Sequence, residues 1–248
     1  MADLTMKSPL ETRLKLWHGE DWHTAKGRII RDIVYAIDTG LVTTIAFLAG
    51  VSVSLVTREK VIVAGLIQVV AGTSAIFFGS YISTKAQKVF FENQIDRESK
   101  EIEEDPKKET QEIREIFSDM GFTQDEQEVA VRRITADKEI WLKFMIQEEI
   151  GISPGFIDNP MEIGLISAGS FLIGAFPAFF PFFVINVVGK ALAVSAIATT
   201  IFLFIFGVAK SKITKMHWLR SGIETLLIGT ISCGSGFLLG RIVAGYFH

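Results

Sequence analysis

The chain has 248 residues, a formal net charge of −3 and a mean hydropathy of +0.36. A mean hydropathy this high in a chain with 21% charged residues requires the charged and apolar residues to occupy separate segments. The single cysteine, Cys233, excludes an intramolecular disulfide and a thiolate metal site, and the lack of a long basic run argues against nucleic-acid binding.

Residues 1–32 are polar and charged, and they predict a cytosolic N-terminal arm. They contain no apolar stretch ahead of a cleavage site, so no signal peptide is predicted. His18 and His23 lie in this arm. Because no partner ligands stand beside them at helical spacing, solvated or interfacial histidines are preferred over a metal site.

Five long apolar segments predict five membrane-spanning helices, because about 20 apolar residues in a helix cross the hydrocarbon core of a bilayer. The five segments are 33–56, 61–82, 163–185, 191–209 and 221–247. Pro177 and Pro181 predict a kink or a break in the third segment. The corresponding domains are 33–84 for spans one and two and 161–248 for spans three to five.

The placement of lysine and arginine predicts the orientation of these spans. Basic residues are concentrated in the arm and in the loop 210–220, whereas the loops 57–60 and 186–190 are short and carry few of them. With five spans, the arm, the segment 85–160 and the loop 210–220 fall on one side, which the positive-inside rule makes cytosolic. The arm carries no recognisable sorting signal, which favours a prokaryotic cell membrane, with a vacuolar membrane as the alternative.

The segment 85–160 predicts a cytosolic helical domain inserted between spans two and three. Its residues 85–150 contain eighteen acidic against eleven basic side chains. Pro106 stands at a predicted helix start, and Gly121 stands just beyond that helix's end. No alternating strand pattern occurs, so the predicted fold is an all-α membrane protein with five transmembrane helices and a three-to-four-helix acidic metal-binding domain.

Pairs of acidic residues on the predicted helices of this domain are candidate metal ligands. Residues three or four apart share a helix face, so each pair points to one side. The candidates are Glu98 with Glu101, Glu112 with Glu115, and Met145 with Glu149. Facing helices with such pairs can hold a divalent cation among oxygen ligands, whereas a solvated acidic face is the alternative interpretation of the same spacing.

Two carboxylates lie within predicted spans, Asp38 in the first and Glu224 in the fifth. A carboxylate in a span usually marks an ion or proton path, and pairing with a nearby arginine at the interface is the alternative. Gln68 and several threonines in the first two spans can line a path or hydrogen-bond neighbouring helices together. Glycines recur every seven residues along span two, which permits close helix approach and makes a candidate dimer face.

Four stretches carry a family resemblance that covers nearly the whole chain. They read RDIVYAIDTGLVTTIAFLAG in span one, AGLIQVVAGTSAIFFGSYIS in span two, EIWLKFMIQEEIGI at the end of the acidic domain, and FGVAK…SGIETLLIG from span four into span five. Together with the order of the predicted elements, they resemble the vacuolar iron transporter family.

The resemblance implies a homodimer in the lipid bilayer that moves Fe²⁺, and in some members Mn²⁺, out of the cytosol in exchange for protons. It also implies that the acidic domain binds metal through glutamates. By position, the implied ligands are Glu98, Glu101, Glu112, Glu115, Met145 and Glu149, and a second family methionine falls on Ile146. No organic cofactor is implied.

The positions that line the family's pore differ in this chain. The family's carboxylate in span one falls on Thr39, with Asp38 one residue earlier and therefore about 100° away around the helix. The family's glutamate and methionine in span two fall on Gln68 and Ile76. Gln68 offers a carbonyl oxygen without charge, and Ile76 offers no ligand.

Two functional hypotheses follow. The first is a transporter of divalent metal, Fe²⁺ or Mn²⁺, whose transport path includes Asp38, Thr39, Gln68 and Glu224. The second is a membrane-anchored metal-binding or sensing protein that does not transport. An enzyme is disfavoured, because the sequence shows no Ser/His/Asp or Cys/His set, no phosphate-binding glycine loop, and no histidine in the acidic domain.

Overall fold

The computed structural model describes residues 26–54, 57–149, 151, 158–215 and 217–247. These residues form helices and connecting turns, with no strand among them. In chain order the helices are α1 (Lys26–Ser54), α2 (Arg58–Glu104), α3 (Pro106–Asp119), α4 (Gln124–Ile134), α5 (Lys138–Glu148), α6 (Pro160–Phe179), α7 (Pro181–Val184), α8 (Val188–Thr214) and α9 (Trp218–Phe247). The all-α prediction is therefore confirmed over the described part of the chain. Residues 1–25 of the predicted N-terminal arm lie outside it.

Five of these helices, α1, α2, α6, α8 and α9, are long and apolar enough to cross a membrane. Each contains or largely overlaps one of the five predicted spans, so the described residues provide the five candidate membrane-spanning helices that the sequence predicts. The chain divides into two compact units. The membrane unit contains Arg28–Ser83 and Pro160–His248, and the acidic unit contains Thr84–Asn159.

The third span is broken at a proline, as the sequence predicts. Pro177 is accommodated inside α6, whereas the helix ends at Phe179 and the short α7 begins with Pro181. A proline has no amide hydrogen, so carbonyl groups before it lose their helical partner. The buried Ser195 hydroxyl of α8 donates to the carbonyl oxygen of Ala178, which therefore has a hydrogen-bond partner at the break.

Arg58, the first residue of α2, supplies partners on the other side of this break. Its Nε donates to the Phe182 carbonyl oxygen at 3.0 Å, and its Nη2 donates to the Phe183 carbonyl oxygen at 2.6 Å. The planar guanidinium group presents several N–H donors in fixed directions, which suits two neighbouring acceptors. The start of the second span is thereby joined to the end of the broken third span.

Glycines allow the backbones of the membrane unit to touch. A Cβ added to Gly174 of α6 would collide with the Ile37 carbonyl of α1, and one added to Gly40 of α1 would collide with the Phe171 carbonyl of α6. Along α2, Gly65 and Gly72 face phenylalanine rings of α6 in the same chain, so this part of the glycine stripe serves packing within the chain.

The acidic unit has an apolar core of its own. Ile102, Ile113, Val131, Trp141 and Met145 are buried together, one or more from each of its four helical segments. At the start of α4, the Thr123 amide donates to the Glu126 carboxylate at 2.8 Å, as in a capping box. Gly121 has a φ of +87°, the left-handed conformation that suits glycine beyond a helix end.

Candidate metal centre

Three glutamates from three different segments of the acidic unit converge on one point. Glu98 comes from α2, Glu109 from the first turn of α3, and Glu149 from the residue after α5. One carboxylate oxygen from each lies within 4.8 Å of the other two. Glu98 and Glu109 are only 3% and 1% exposed, whereas Glu149 is exposed. We call these three residues the carboxylate cluster.

The cluster leaves buried oxygens without partners. Glu98 Oε1 and Glu109 Oε2 are inaccessible and accept no hydrogen bond from any described residue. An unsatisfied buried carboxylate oxygen is costly, and the cost is removed by a proton or by a cation. The donor set therefore fits a hard divalent cation, which prefers carboxylate oxygens.

Burial and mutual repulsion raise the pKa of each of the three carboxyl groups in this cluster. Burial first, and then the neighbouring Glu149 and Glu109 carboxylates, raise the pKa of Glu98 to about 8. Burial also raises the pKa of Glu109, with Glu112 adding to the effect, and it raises the pKa of Glu149, with Glu112 and Glu101 adding to the effect. Like charges gathered in a poorly solvated place favour the neutral form.

This electrostatic arrangement predicts that the metal-free acidic unit loses stability as the pH rises. A carboxyl group whose pKa is raised on folding contributes stability that is complete below its unfolded pKa and is lost as the pH rises through its folded pKa. For Glu98 that interval runs from 4.5 to about 8. Hydrogen exchange of α3 amides, corrected for intrinsic rates, should show protection falling across this interval. Glu98→Gln should flatten the fall, and protection that rises with pH would contradict the prediction.

Two of the other predicted ligands flank the cluster. Glu101 is half-buried and receives a hydrogen bond from Arg97 Nε at 2.9 Å. Glu112 is also half-buried, and the Lys108 ammonium lies 2.9 Å from its carboxylate. Both carboxylates lie close enough to raise the pKa of Glu149. They therefore add negative charge around the cluster without belonging to its closest set of oxygens.

The remaining two predicted ligands lie elsewhere. Glu115 is exposed on α3, and its carboxylate accepts a hydrogen bond from Gln111 at 3.3 Å. Met145 is fully buried in the apolar core, one turn before Glu149, whose amide donates to its carbonyl oxygen at 2.9 Å. Of the predicted ligands, Glu98 and Glu149 therefore belong to the carboxylate cluster, whereas Glu115 does not.

Sequence reasoning missed Glu109, although a signal for it was present. Glu109 lies three residues before Glu112, just as Glu115 lies three residues after it, so spacing alone does not choose between the two. Glu109 also precedes the buried Ile113 by four residues and therefore shares the inward face of α3. The register of the apolar residues selects Glu109, because a carboxylate on that face becomes buried.

A second polar feature lies in the membrane unit. Thr39 and Thr43 of α1, with Gln68 and Ile76 of α2, help to line a cavity of about 640 Å³. Gln68 Nε2 donates to Thr43 Oγ1 at 3.5 Å, and the Thr43 hydroxyl donates to the Thr39 carbonyl oxygen at 2.6 Å. The polar side chains that line this cavity carry hydroxyl and amide groups, which are uncharged.

The two carboxylates predicted within the spans, Asp38 and Glu224, do not line this cavity. Asp38 is half-buried and is not among the residues that line this cavity, and the positive charge of Lys210 in α8 acts on it. Glu224, near the start of α9, is exposed. The one-residue offset between Asp38 and Thr39 therefore places the threonine, and not the carboxylate, at the cavity wall.

The sequence profile of the VIT family matches residues 30–241, most of the chain. The chain belongs to the VIT family. Two relatives called vacuolar iron transporter 1, from Arabidopsis thaliana and Eucalyptus grandis, are each 30% identical to it over 233 residues, covering 94% of this chain and 93% of each relative. Protein CCC1 of Saccharomyces cerevisiae is 20% identical over 224 residues, covering 87% of this chain and 69% of that protein.

Membership of the VIT family agrees with the architecture. The five apolar helices and the family match together identify an integral membrane protein. Members of the VIT family are transporters rather than enzymes, so the prediction that this chain is not an enzyme is confirmed.

Proposed function

We propose that this VIT-family protein moves a divalent metal, Fe²⁺ or Mn²⁺, out of the cytosol in exchange for protons. The observation that carries the proposal is the carboxylate cluster, in which two buried glutamates present unpartnered oxygens beside a third carboxylate. In this proposal the acidic unit faces the cytosol, binds the metal and raises its concentration near the membrane. Relatives named as iron transporters support iron as the cargo.

The membrane unit supplies the proposed path. Thr39 and Gln68 contribute neutral oxygen ligands along the cavity between α1 and α2. In the proposed orientation, Asp38 is a half-buried carboxylate on the cytosolic half of α1 and carries the proton. Glu224, near the start of α9, lies on the same side in that orientation. Two copies of the chain form the transporter, with the lipid bilayer around them.

A second candidate function is metal binding or sensing without transport. The neutral lining of the cavity favours it, because a dehydrating divalent cation is poorly stabilised by threonine and glutamine oxygens alone. In that case the acidic unit binds metal and the membrane unit serves as an anchor.

Transport into proteoliposomes separates the two candidates. Under an imposed proton gradient, the transporter proposal expects metal-dependent Fe²⁺ or Mn²⁺ flux that falls by about tenfold or more in Asp38→Asn and Gln68→Ala. Leu66→Ala is a matched control, because Leu66 is exposed on α2 and does not line the cavity. Absence of flux, together with intact Mn²⁺ binding by the same preparation, would establish the non-transporting alternative.

A further inference from the structure

The Lys108 ammonium is in contact with one carboxylate of the cluster and with one that flanks it. The Lys108 ammonium lies 2.9 Å from Glu112 Oε1 and 3.7 Å from Glu109 Oε1. Its positive charge also acts on Glu149 and Glu101. The Lys108 side chain is 61% exposed, so its ammonium group reaches the carboxylates from the solvent side.

The start of α3 fixes the backbone from which this side chain extends. Asp105 Oδ1 accepts a hydrogen bond from the Lys108 amide at 3.2 Å, and Pro106 occupies the first turn of the helix. In the sequence, Lys108 is four residues before Glu112 and directly before Glu109, so its side chain lies near both on α3. Its stem of four carbons leaves the ammonium able to swing between these carboxylates and water.

We propose that Lys108 is a tethered counterion that occupies the mouth of the carboxylate cluster and competes with the incoming divalent cation. This inference rests on the proposed metal binding by the cluster, and it adds the element that limits affinity and speeds release. A capture site that serves a transporter must give up its ion. A built-in competitor allows this without loss of any carboxylate ligand.

The competition follows from charge and solvation. A divalent cation placed among Glu98, Glu109 and Glu149 is repelled by an ammonium group a few ångströms away, so Lys108 must turn outward when the metal binds. Because Lys108 is largely exposed, turning outward costs little, and the exchange is fast and dependent on salt. An ordinary helix-surface ion pair, the plain alternative, would leave metal affinity unchanged.

The adjacent Lys107 provides a matched control. It is exposed on the same helical turn, and it forms no ion pair with any residue that the structure describes. Lys107→Ala and Lys108→Ala therefore remove the same net charge from the same helix. The two substitutions differ in whether the removed ammonium touches the cluster.

The test is calorimetric titration of Mn²⁺ into the full-length chain in detergent, with stopped-flow measurement of Mn²⁺ release to a chelator. Lys108→Ala should bind Mn²⁺ about fivefold more tightly and release it more slowly, whereas Lys107→Ala should match the wild type. Lys108→Gln, which keeps much of the side chain without its charge, should behave as Lys108→Ala does and covers the case in which the alanine variant does not fold.

Failure of this inference is distinguishable from failure of the proposed function. If the wild type binds no more Mn²⁺ than Glu98→Gln, metal binding by the cluster is refuted. If the wild type binds Mn²⁺ at the cluster and both Lys108 variants equal Lys107→Ala in affinity and release rate, the counterion proposal is refuted. A higher affinity and slower release confined to the Lys108 variants would support it, since a merely structural role would not tighten binding.

Discussion

Glutamine at positions 98 and 109 should weaken Mn²⁺ binding by the acidic unit by about 100-fold or more while making the metal-free unit more stable. Each substitution keeps the size of the side chain and removes a carboxylate that is buried beside another. Metal binding needs these charges, whereas the metal-free fold is opposed by their desolvation and mutual repulsion. The same substitution therefore moves binding and stability in opposite directions.

Two measurements on the full-length protein test this prediction. Calorimetry should show the loss of Mn²⁺ binding in Glu98→Gln/Glu109→Gln, and hydrogen exchange should show greater protection in α3 of the metal-free variant. Glu115→Gln is the control, because Glu115 is exposed on the same helix and bonds to Gln111. If Glu115→Gln lowers the affinity for Mn²⁺ as much as the double variant does, then Glu115 is a ligand, as its spacing from Glu112 predicts, and the carboxylate cluster is not the binding site.

Alanine at position 174 should destabilise the membrane unit by weakening the packing of α6 against α1. The added Cβ would meet the Ile37 carbonyl, a backbone atom of α1 that cannot rotate aside, and Gly40 makes the reciprocal approach to α6. Overpacking of this kind typically costs about 1–3 kcal/mol, and the backbone contact favours the upper end of that range. A loss of this size is a large part of a typical domain's stability.

Gly169→Ala on the same helix is the matched control, since no atom lies within 4 Å of the position where its Cβ would be built. Thermal unfolding in detergent and the yield of monodisperse protein should distinguish the two variants, with Gly174→Ala strongly reduced and Gly169→Ala close to the wild type. Equal midpoints for both would show that α1 and α6 separate at no cost, contrary to the packing described.

The sequence allowed the five spans and the helices of the acidic unit to be predicted because each depends on local physics. Long uncharged runs require a membrane, and Pro106, Gly121 and the Thr123–Glu126 pair mark helix ends through their own backbone chemistry. The predicted and observed helix boundaries differ mainly where a helix continues past its apolar part, as α1 and α8 do. Such extensions carry polar residues that hydropathy does not count.

The site was harder to predict because it depends on which helix face meets which neighbour. Spacing proposed Glu98 and Glu149 as ligands, and the structure brings their carboxylates together, but spacing could not choose between Glu109 and Glu115 without the position of Ile113 in the core. In the membrane unit, the difference between Asp38 and Thr39 is one residue, or about 100° of rotation. Only packing of α1 against α2 shows which of them reaches the cavity.

The contact between Arg58 and the broken third span carries an evolutionary consequence. The arginine binds two carbonyl oxygens, so the side chains at positions 182 and 183 can change without affecting this contact. These carbonyls lie in the last turn of α7, and a relative whose helix continued past Val184 would use them internally. Across homologous chains, the arginine and the helix end at Val184 should therefore be retained together or lost together.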